Sequence, residues 1–151
     1  MKRLISLLLI LLFVAAPLRA EELMMVRVKQ SFPEAMLQFQ EVIRNHGYTL
    51  SRVQRVDIGL SNMGYKTDKY RVVFFGKIEQ NRWIIDKHPE LIPYLPLKVA
   101  IYSEEQDTLL VSPNLEILFN AQDPKLKKIV HDWQHDIQDM FKEMHDYGLK
   151  N

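Results

Sequence analysis

The chain has 151 residues, of which 47% are hydrophobic and 26% charged, a composition typical of a single globular domain. It has no cysteine, which excludes disulfides, thiolate catalysis, a lipoprotein anchor and haem attachment through cysteine. Twenty basic and 19 acidic residues give a formal charge of +1, which provides no electrostatic footprint for nucleic acid.

The first twenty residues have the pattern of a secretory signal peptide. Lys2 and Arg3 form a positive start, residues 4–16 are almost wholly apolar, and charge begins with Glu21 directly after Ala20. The apolar run is shorter than the roughly 20 residues that a membrane-spanning helix needs, so we expect cleavage after Ala20 rather than an uncleaved anchor. The mature chain, with 17 basic and 19 acidic residues, would be periplasmic or secreted, with no membrane contact.

After the signal, the sequence predicts a short strand and a capped helix. Apolar side chains alternate in residues 23–29, which is typical of a strand with one buried face. Ser31 and Glu34 have the spacing of a capping box at the start of a helix. Gly47 is expected to end this helix in a left-handed conformation.

Two further strands are predicted in the first half of the chain. Residues 48–58 keep their apolar side chains on one face only if the strand has a bend or a bulge near Arg52. Residues 70–78 form the strongest predicted strand, with Tyr70, Val72, Phe74 and Ile78 on one face and Val73 and Phe75 on the other. Because both faces are apolar, we expect the second one to be covered by a helix, a subunit or a ligand.

A hairpin over residues 95–111 is expected at the centre of an antiparallel sheet. Leu97, Val99 and Ile101 alternate onto one face, and residues 103–107 supply the turn. Residues 79–88 are predicted to form a short helix before the hairpin, followed by three prolines that stiffen the connection.

A long amphipathic helix is predicted from Asp123-Pro124 to about Tyr147, with Gly148 as its stop. Its apolar stripe consists of Leu126, Ile129, Val130, Trp133, Ile137, Met140, Phe141 and Met144. The elements together predict a single α+β domain over residues 21–151, with two layers, in which an antiparallel sheet packs against the C-terminal helix.

Several short motifs resemble the family catalogued as domain of unknown function 302. They are Phe32 and Ala35 before Gly47, Tyr70-Arg71-Val72 before Gly76, Leu91, Leu95-Pro96, residues 99–102 and Asp123-Pro124. The resemblance implies a β-α-β(4)-α fold of the TATA-binding-protein-like type and self-association into a homodimer, and it implies no reaction. Many members have cysteine after the Leu-Pro pair, where this chain has Leu97, so a thiol-based role cannot be transferred.

Aromatic residues near the strongest strand are the candidates for ligand binding. Phe74, Phe75, Trp83 and Tyr94 are predicted to line a cleft between the sheet and the helix, where a small apolar or cofactor-like ligand would bind. The alternative is that these side chains are ordinary core, because large aromatic residues dominate most protein interiors.

Four histidines are the candidates for metal or haem binding. His131 and His135 share one face of the last helix, although that face is the polar one. His46 lies in the last turn of the first helix, and His88 precedes Pro89 in the insertion. The alternatives are solvated histidines on the last helix and a histidine at the edge of the core elsewhere. The sequence names no cofactor.

No catalytic motif is present, since the chain has neither a Gly-x-Ser-x-Gly turn nor a glycine-rich phosphate-binding loop, and glycine makes up only 5 of its 151 residues. We therefore expect a protein without enzymatic activity. The first hypothesis is a periplasmic small-ligand-binding or accessory module, whose partner would be a small ligand or an envelope protein. The alternatives are a metal- or haem-binding protein of envelope redox chemistry and a structural module that dimerises through an exposed sheet face.

Overall fold

The computed structural model describes residues 22–150, and the predicted signal segment 1–20 lies outside this range. The strands are β1 (Leu23–Val28), β2 (Thr49–Arg55), β3 (Tyr70–Gly76), β4 (Leu97–Glu104) and β5 (Asp107–Pro113). The helices are α1 (Phe32–Asn45), α2 (Val56–Asn62), α3 (Ile78–Lys87), α4 (Leu115–Phe119) and α5 (Pro124–Lys150), with a 3₁₀ helix at Pro89–Tyr94. The predicted α+β architecture is confirmed.

The five strands form one antiparallel sheet in the order β1-β5-β4-β3-β2, so β4 of the predicted hairpin is the central strand. Val73 of β3 is opposite Val99 of β4, and Ala100 of β4 is opposite Val111 of β5. The register of β2 against β3 shifts between Leu50 and Arg52, which confirms the predicted bulge.

Both ends of α1 are fixed by its sequence. At the start, the Glu34 carboxylate accepts hydrogen bonds from the Ser31 backbone N–H (3.1 Å) and the Ser31 hydroxyl (2.7 Å). At the end, Gly47 has a φ of +77°, and the N–H of Tyr48 donates to the carbonyl of Ile43 (3.2 Å). This is a Schellman cap, which needs a left-handed residue and therefore favours glycine.

The core lies between one face of the sheet, called here the inner face, and helices α1 and α5. All eight apolar residues of the predicted stripe on α5 are buried. On the sheet, Val73, Phe75, Leu97, Val99, Ile101 and Leu110 are buried on the inner face. Burial of each large apolar side chain contributes about 1.5–3 kcal/mol, so this layer is the main source of stability.

Two predicted strand boundaries are wrong. Strand β3 ends at Gly76, and Ile78 begins α3 with 53% of its surface exposed, so it does not extend the strand. The chain from Val56 is helical rather than part of the second strand. Alternation alone cannot separate the last turn of a strand from the first turn of a helix when both contain isolated apolar residues.

Gly148 does not stop the last helix, which continues to Lys150. A Cβ atom at Gly148 would lie 2.8 Å from the backbone nitrogen of Lys29 and 3.1 Å from Cγ1 of Val28. The glycine therefore permits a close approach between α5 and the end of β1.

Candidate functional site

The four aromatic residues predicted to line one cleft are divided between two faces of the sheet. Phe75 is 0% exposed and packs edge-on against Phe39 and Tyr48 in the core. Phe74, the preceding residue, is on the opposite face beneath the guanidinium of Arg52, which lies 5.3 Å from the ring centroid. Since consecutive residues of a strand point to opposite faces, Phe74 and Phe75 cannot contact the same ligand.

Trp83 and Tyr94 lie on the helical side, but they have different neighbours. The Trp83 ring is 5.4 Å from the ring of His88 and has Nζ of Lys125 above it at 4.2 Å. Tyr94 packs against Phe119. Ligand binding by the four aromatic residues stays a prediction, and the structure does not bring them together.

Each of the four histidines lies beside one carboxylate. His46 Nε2 is 3.1 Å from Glu143, and His88 Nδ1 is 3.2 Å from Glu90. On α5, His131 Nδ1 is 2.7 Å from Glu116 and His135 Nδ1 is 3.2 Å from Asp139. His131 and His135 are exposed, as the sequence predicted for the polar face of this helix.

Within residues 22–150, no group of three or more His, Cys, Asp or Glu side chains is arranged to hold a metal ion. His131 and His135 line a groove of about 380 Å³ together with Lys77 and Asp136. Asp132 also lines this groove, and the Lys77 ammonium is paired with Asp136 at 2.9 Å. The carboxylates nearest to the two histidine rings are Glu116 and Asp139, one for each ring.

A polar network that the sequence did not reveal joins the sheet to α5. Asp136 accepts hydrogen bonds from the Tyr48 hydroxyl (2.6 Å) and from Nζ of Lys77 (2.9 Å). Burial alone would raise the pKa of Asp136, but these two hydrogen bonds lower it below its ordinary value. Burial and the bond to Asp136 raise the pKa of Tyr48 above its usual range. The network fixes the position of α5, and its three groups satisfy one another.

The face of the sheet opposite the core, called here the outer face, has a continuous apolar centre. Its middle row crosses four strands in register, from Met25 through Val111 and Ala100 to Val72. The neighbouring row contains Leu109, Tyr102 and Tyr70. Met25 is 62% exposed, whereas Val72, Ala100 and Val111 are half-buried. The helices α1 and α5 pack on the other side of the sheet.

The two ends of the outer face have opposite charge. Lys98 and Arg52 flank Phe74 in one row. At the other end Glu104 of β4 is opposite Asp107 of β5 in the register. The guanidinium of Arg27 lies 2.5 Å from the carboxylate of Glu104 and 3.9 Å from that of Asp107. At about 3.4 Å per residue, the six steps along β4 from Lys98 to Glu104 separate these charged ends by about 20 Å.

The sequence predicted dimerisation through an exposed sheet face as one alternative, but it named no residues of this face, although the signal was present. Ala100 and Val111 occupy the positions of β4 and β5 that alternate with the buried residues, where a solvated face normally has polar residues.

Among the described residues, no helix is long and apolar enough to cross a membrane.

The architecture defines a two-layer α+β domain with a free sheet face, in which α1 and the long α5 cover the other face. Residues 24–144 match the family model described as "Domain of unknown function DUF302". The chain belongs to this family, which confirms the resemblance in the sequence motifs.

One solved structure is similar over almost its whole length. The chain described as "Crystal structure of uncharacterized conserved protein DUF302 from Bacillus stearothermophilus" has a TM-score of 0.71 and 18% sequence identity. The match covers 85% of this chain and 99% of that chain, and at this identity it shows the shared fold alone. The comparison with curated proteins gives no match.

Proposed function

We propose that this protein is an exported, non-enzymatic interaction module that works as a homodimer, in which the outer faces of two sheets pack against each other. The observation that supports this proposal is the apolar row on the outer face. Solvating four adjacent apolar positions is unfavourable, and exposed apolar patches of this kind are typical of protein interfaces.

The charge pattern of the outer face favours a second copy as the partner. A two-fold axis that runs across the strands, in the plane of the interface, reverses the strand direction of one copy relative to the other. The basic end at Lys98 and Arg52 then lies over the acidic end at Glu104 and Asp107 of the other copy. An isologous interface must be self-complementary, and this face meets that requirement.

The size of the face places the proposed interface in the class of small, weak interfaces. Five strands spaced about 4.8 Å apart and about 20 Å long give a projected area of about 500 Å². A standard interface buries about 800 Å² per partner, so we expect a small interface that dissociates in the micromolar range.

The test is the molar mass of the protein purified from the exported fraction, measured by size-exclusion chromatography with light scattering. The protein concentration is varied from about 1 to 100 µM, because a dimer with an interface of this size should dissociate within this range. We expect a dimer at the upper end of this range. Val111→Lys places a charge in the apolar row and should give a monomer. Leu37→Lys, at a 72% exposed position on α1, is the matched control and should behave as wild type.

Two results would contradict the dimer. One is a monomer at every concentration, and the other is a dimer that Val111→Lys leaves intact. Export is tested separately by the intact mass of the purified protein, which should begin at Glu21 if the signal is removed after Ala20.

A further inference from the structure

The two edges of the sheet differ in how well they are protected against pairing with another strand. β2 has a bulge, carries Arg52 and Arg55, and runs directly into α2. These are the devices that natural proteins use to block an edge. β1 pairs with β5 over six residues without a register shift and contains no proline. Its far side is therefore a regular edge at Leu23 and Met25, whereas His145 and Gly148 of α5 lie against Arg27 and Lys29.

The backbone groups on this edge can be assigned from one hydrogen bond. The N–H of Asn114 donates to the carbonyl of Glu22 at 2.8 Å, so the peptide groups of Glu22 face β5. Because successive residues of a strand alternate in direction, the peptide groups of Leu23, Met25 and Arg27 face away from the sheet. His145 Nδ1 lies 3.4 Å from the carbonyl oxygen of Arg27, which agrees with this assignment.

A groove of about 460 Å³ runs beside the edge, between β1 and α5. Its lining combines apolar side chains with a basic rim and consists mainly of Met24, Val26, Phe141, Gln138, Lys142 and His145. Among the described residues, no carboxylate lines this groove, although Asp139, Glu143 and Asp146 line the neighbouring groove that also contains Lys142. The Lys142 ammonium is complementary to an acidic side chain in the groove beside β1.

We propose that β1 binds an extended peptide segment of a partner protein as a sixth strand of the sheet. The peptide backbone pairs with the outward groups of Leu23 and Met25, since the carbonyl of Arg27 already has Nδ1 of His145 beside it. Every second side chain of the peptide points to the inner side, where an apolar one packs on Phe141 and an acidic one pairs with Lys142. Strand addition to a free sheet edge is a general mode of peptide recognition. This site is distinct from the outer face and goes beyond the proposed dimer.

The test is fluorescence anisotropy with a labelled, capped peptide of sequence Thr-Val-Thr-Glu-Thr-Val-Thr and the mature protein. The sequence is symmetric, so it presents valine and glutamate to the groove in either strand direction. One control peptide has lysine in place of glutamate, and another has N-methyl groups on alternate backbone nitrogens. We expect saturable binding of the first peptide and at least about tenfold weaker binding of both controls.

Protein variants separate the backbone and charge contributions. Met25→Pro removes an outward N–H that β5 does not use and should abolish binding, whereas Met25→Thr should retain it. Lys142→Glu should weaken the binding of the glutamate peptide and strengthen the binding of the lysine peptide. Lys127→Glu, elsewhere on the same helix, should change the binding of neither. If Met25→Pro fails to fold, the N-methylated peptide tests the same backbone contact on the wild-type protein.

Absence of saturable binding would overturn the proposal, and so would binding that N-methylation or Lys142→Glu leaves unchanged. The dimer is judged independently. Val111→Lys, on the outer face, should still bind the peptide, and Lys142→Glu should keep the molar mass of the wild type.

Discussion

Replacing Gly148 by alanine tests how closely α5 approaches β1. In a helix interior, alanine is favoured over glycine by about 0.8–1 kcal/mol. At Gly148 the added Cβ would lie 2.8 Å from the backbone nitrogen of Lys29, and β1 or the helix would have to move. Overpacking of a close-packed contact costs about 1–3 kcal/mol. We therefore expect the free energy of unfolding to fall by up to about 2 kcal/mol, because the clash outweighs the gain in helix propensity.

Gly59 provides the matched control, because it is also helical and a Cβ there would have no atom within 4 Å. Gly59→Ala should show the propensity gain alone, an increase of about 0.5–1 kcal/mol. The two variants should differ by about 1–3 kcal/mol in urea unfolding followed by the fluorescence of the buried Trp133. If Gly148→Ala stabilises the protein as much as Gly59→Ala, the close approach is not tight and the reasoning fails.

Further predictions concern buried polar contacts, and all are measured by urea or thermal unfolding. Gln134 is 5% exposed and its carbonyl accepts the N–H of Leu115 at 2.8 Å, so Gln134→Leu should cost about 1–3 kcal/mol by leaving that donor unpaired. Asn114 caps α4, and Asn114→Ala should cost about 1 kcal/mol. Because the folded state lowers the pKa of Asp136, this carboxylate stabilises the protein above about pH 4, and the stabilisation is lost as the pH falls. In Asp136→Asn the free energy of unfolding should therefore depend less on pH in the acid range. Because the folded state raises the pKa of Tyr48, the neutral phenol stabilises the protein below about pH 10, and the stabilisation is lost as the pH rises. In Tyr48→Phe this decrease in the free energy of unfolding at alkaline pH should be absent. Equal pH dependence in wild type and variant would contradict either assignment.

Local chemistry explains why most of the elements could be predicted from the sequence. The contacts of Ser31 with Glu34, the left-handed Gly47 and the stripe on α5 depend on residues close in the chain. The bulge near Arg52 followed from broken alternation. Each of these features has a physical signature within a few residues, and each is present in the structure.

Features that depend on distant parts of the chain could not be predicted in the same way. β3 is apolar on both faces, so the sequence could not decide that Phe75 faces the core and Phe74 the outer face. Gly148 was predicted to stop the helix because glycine commonly follows a helix end. Its contact in the fold, Lys29, is far away in sequence, so the close approach has no local signal. The contact between Tyr48 and Asp136 likewise joins residues 88 positions apart. The candidate surfaces required the strand order, which no local pattern contains.

The strand order also has a consequence for the folding kinetics of the chain. β2 to β5 form a meander in which each strand pairs with the next, whereas Leu23 of β1 meets Pro113 of β5 from about 90 residues away. Synthesis delivers β1 first, yet its partner strand is made only near the end. Closing so long a loop is entropically unfavourable, so we expect β1 to dock after the transition state. Substitutions that weaken the β1–β5 pairing should then accelerate unfolding and leave the rate of folding nearly unchanged.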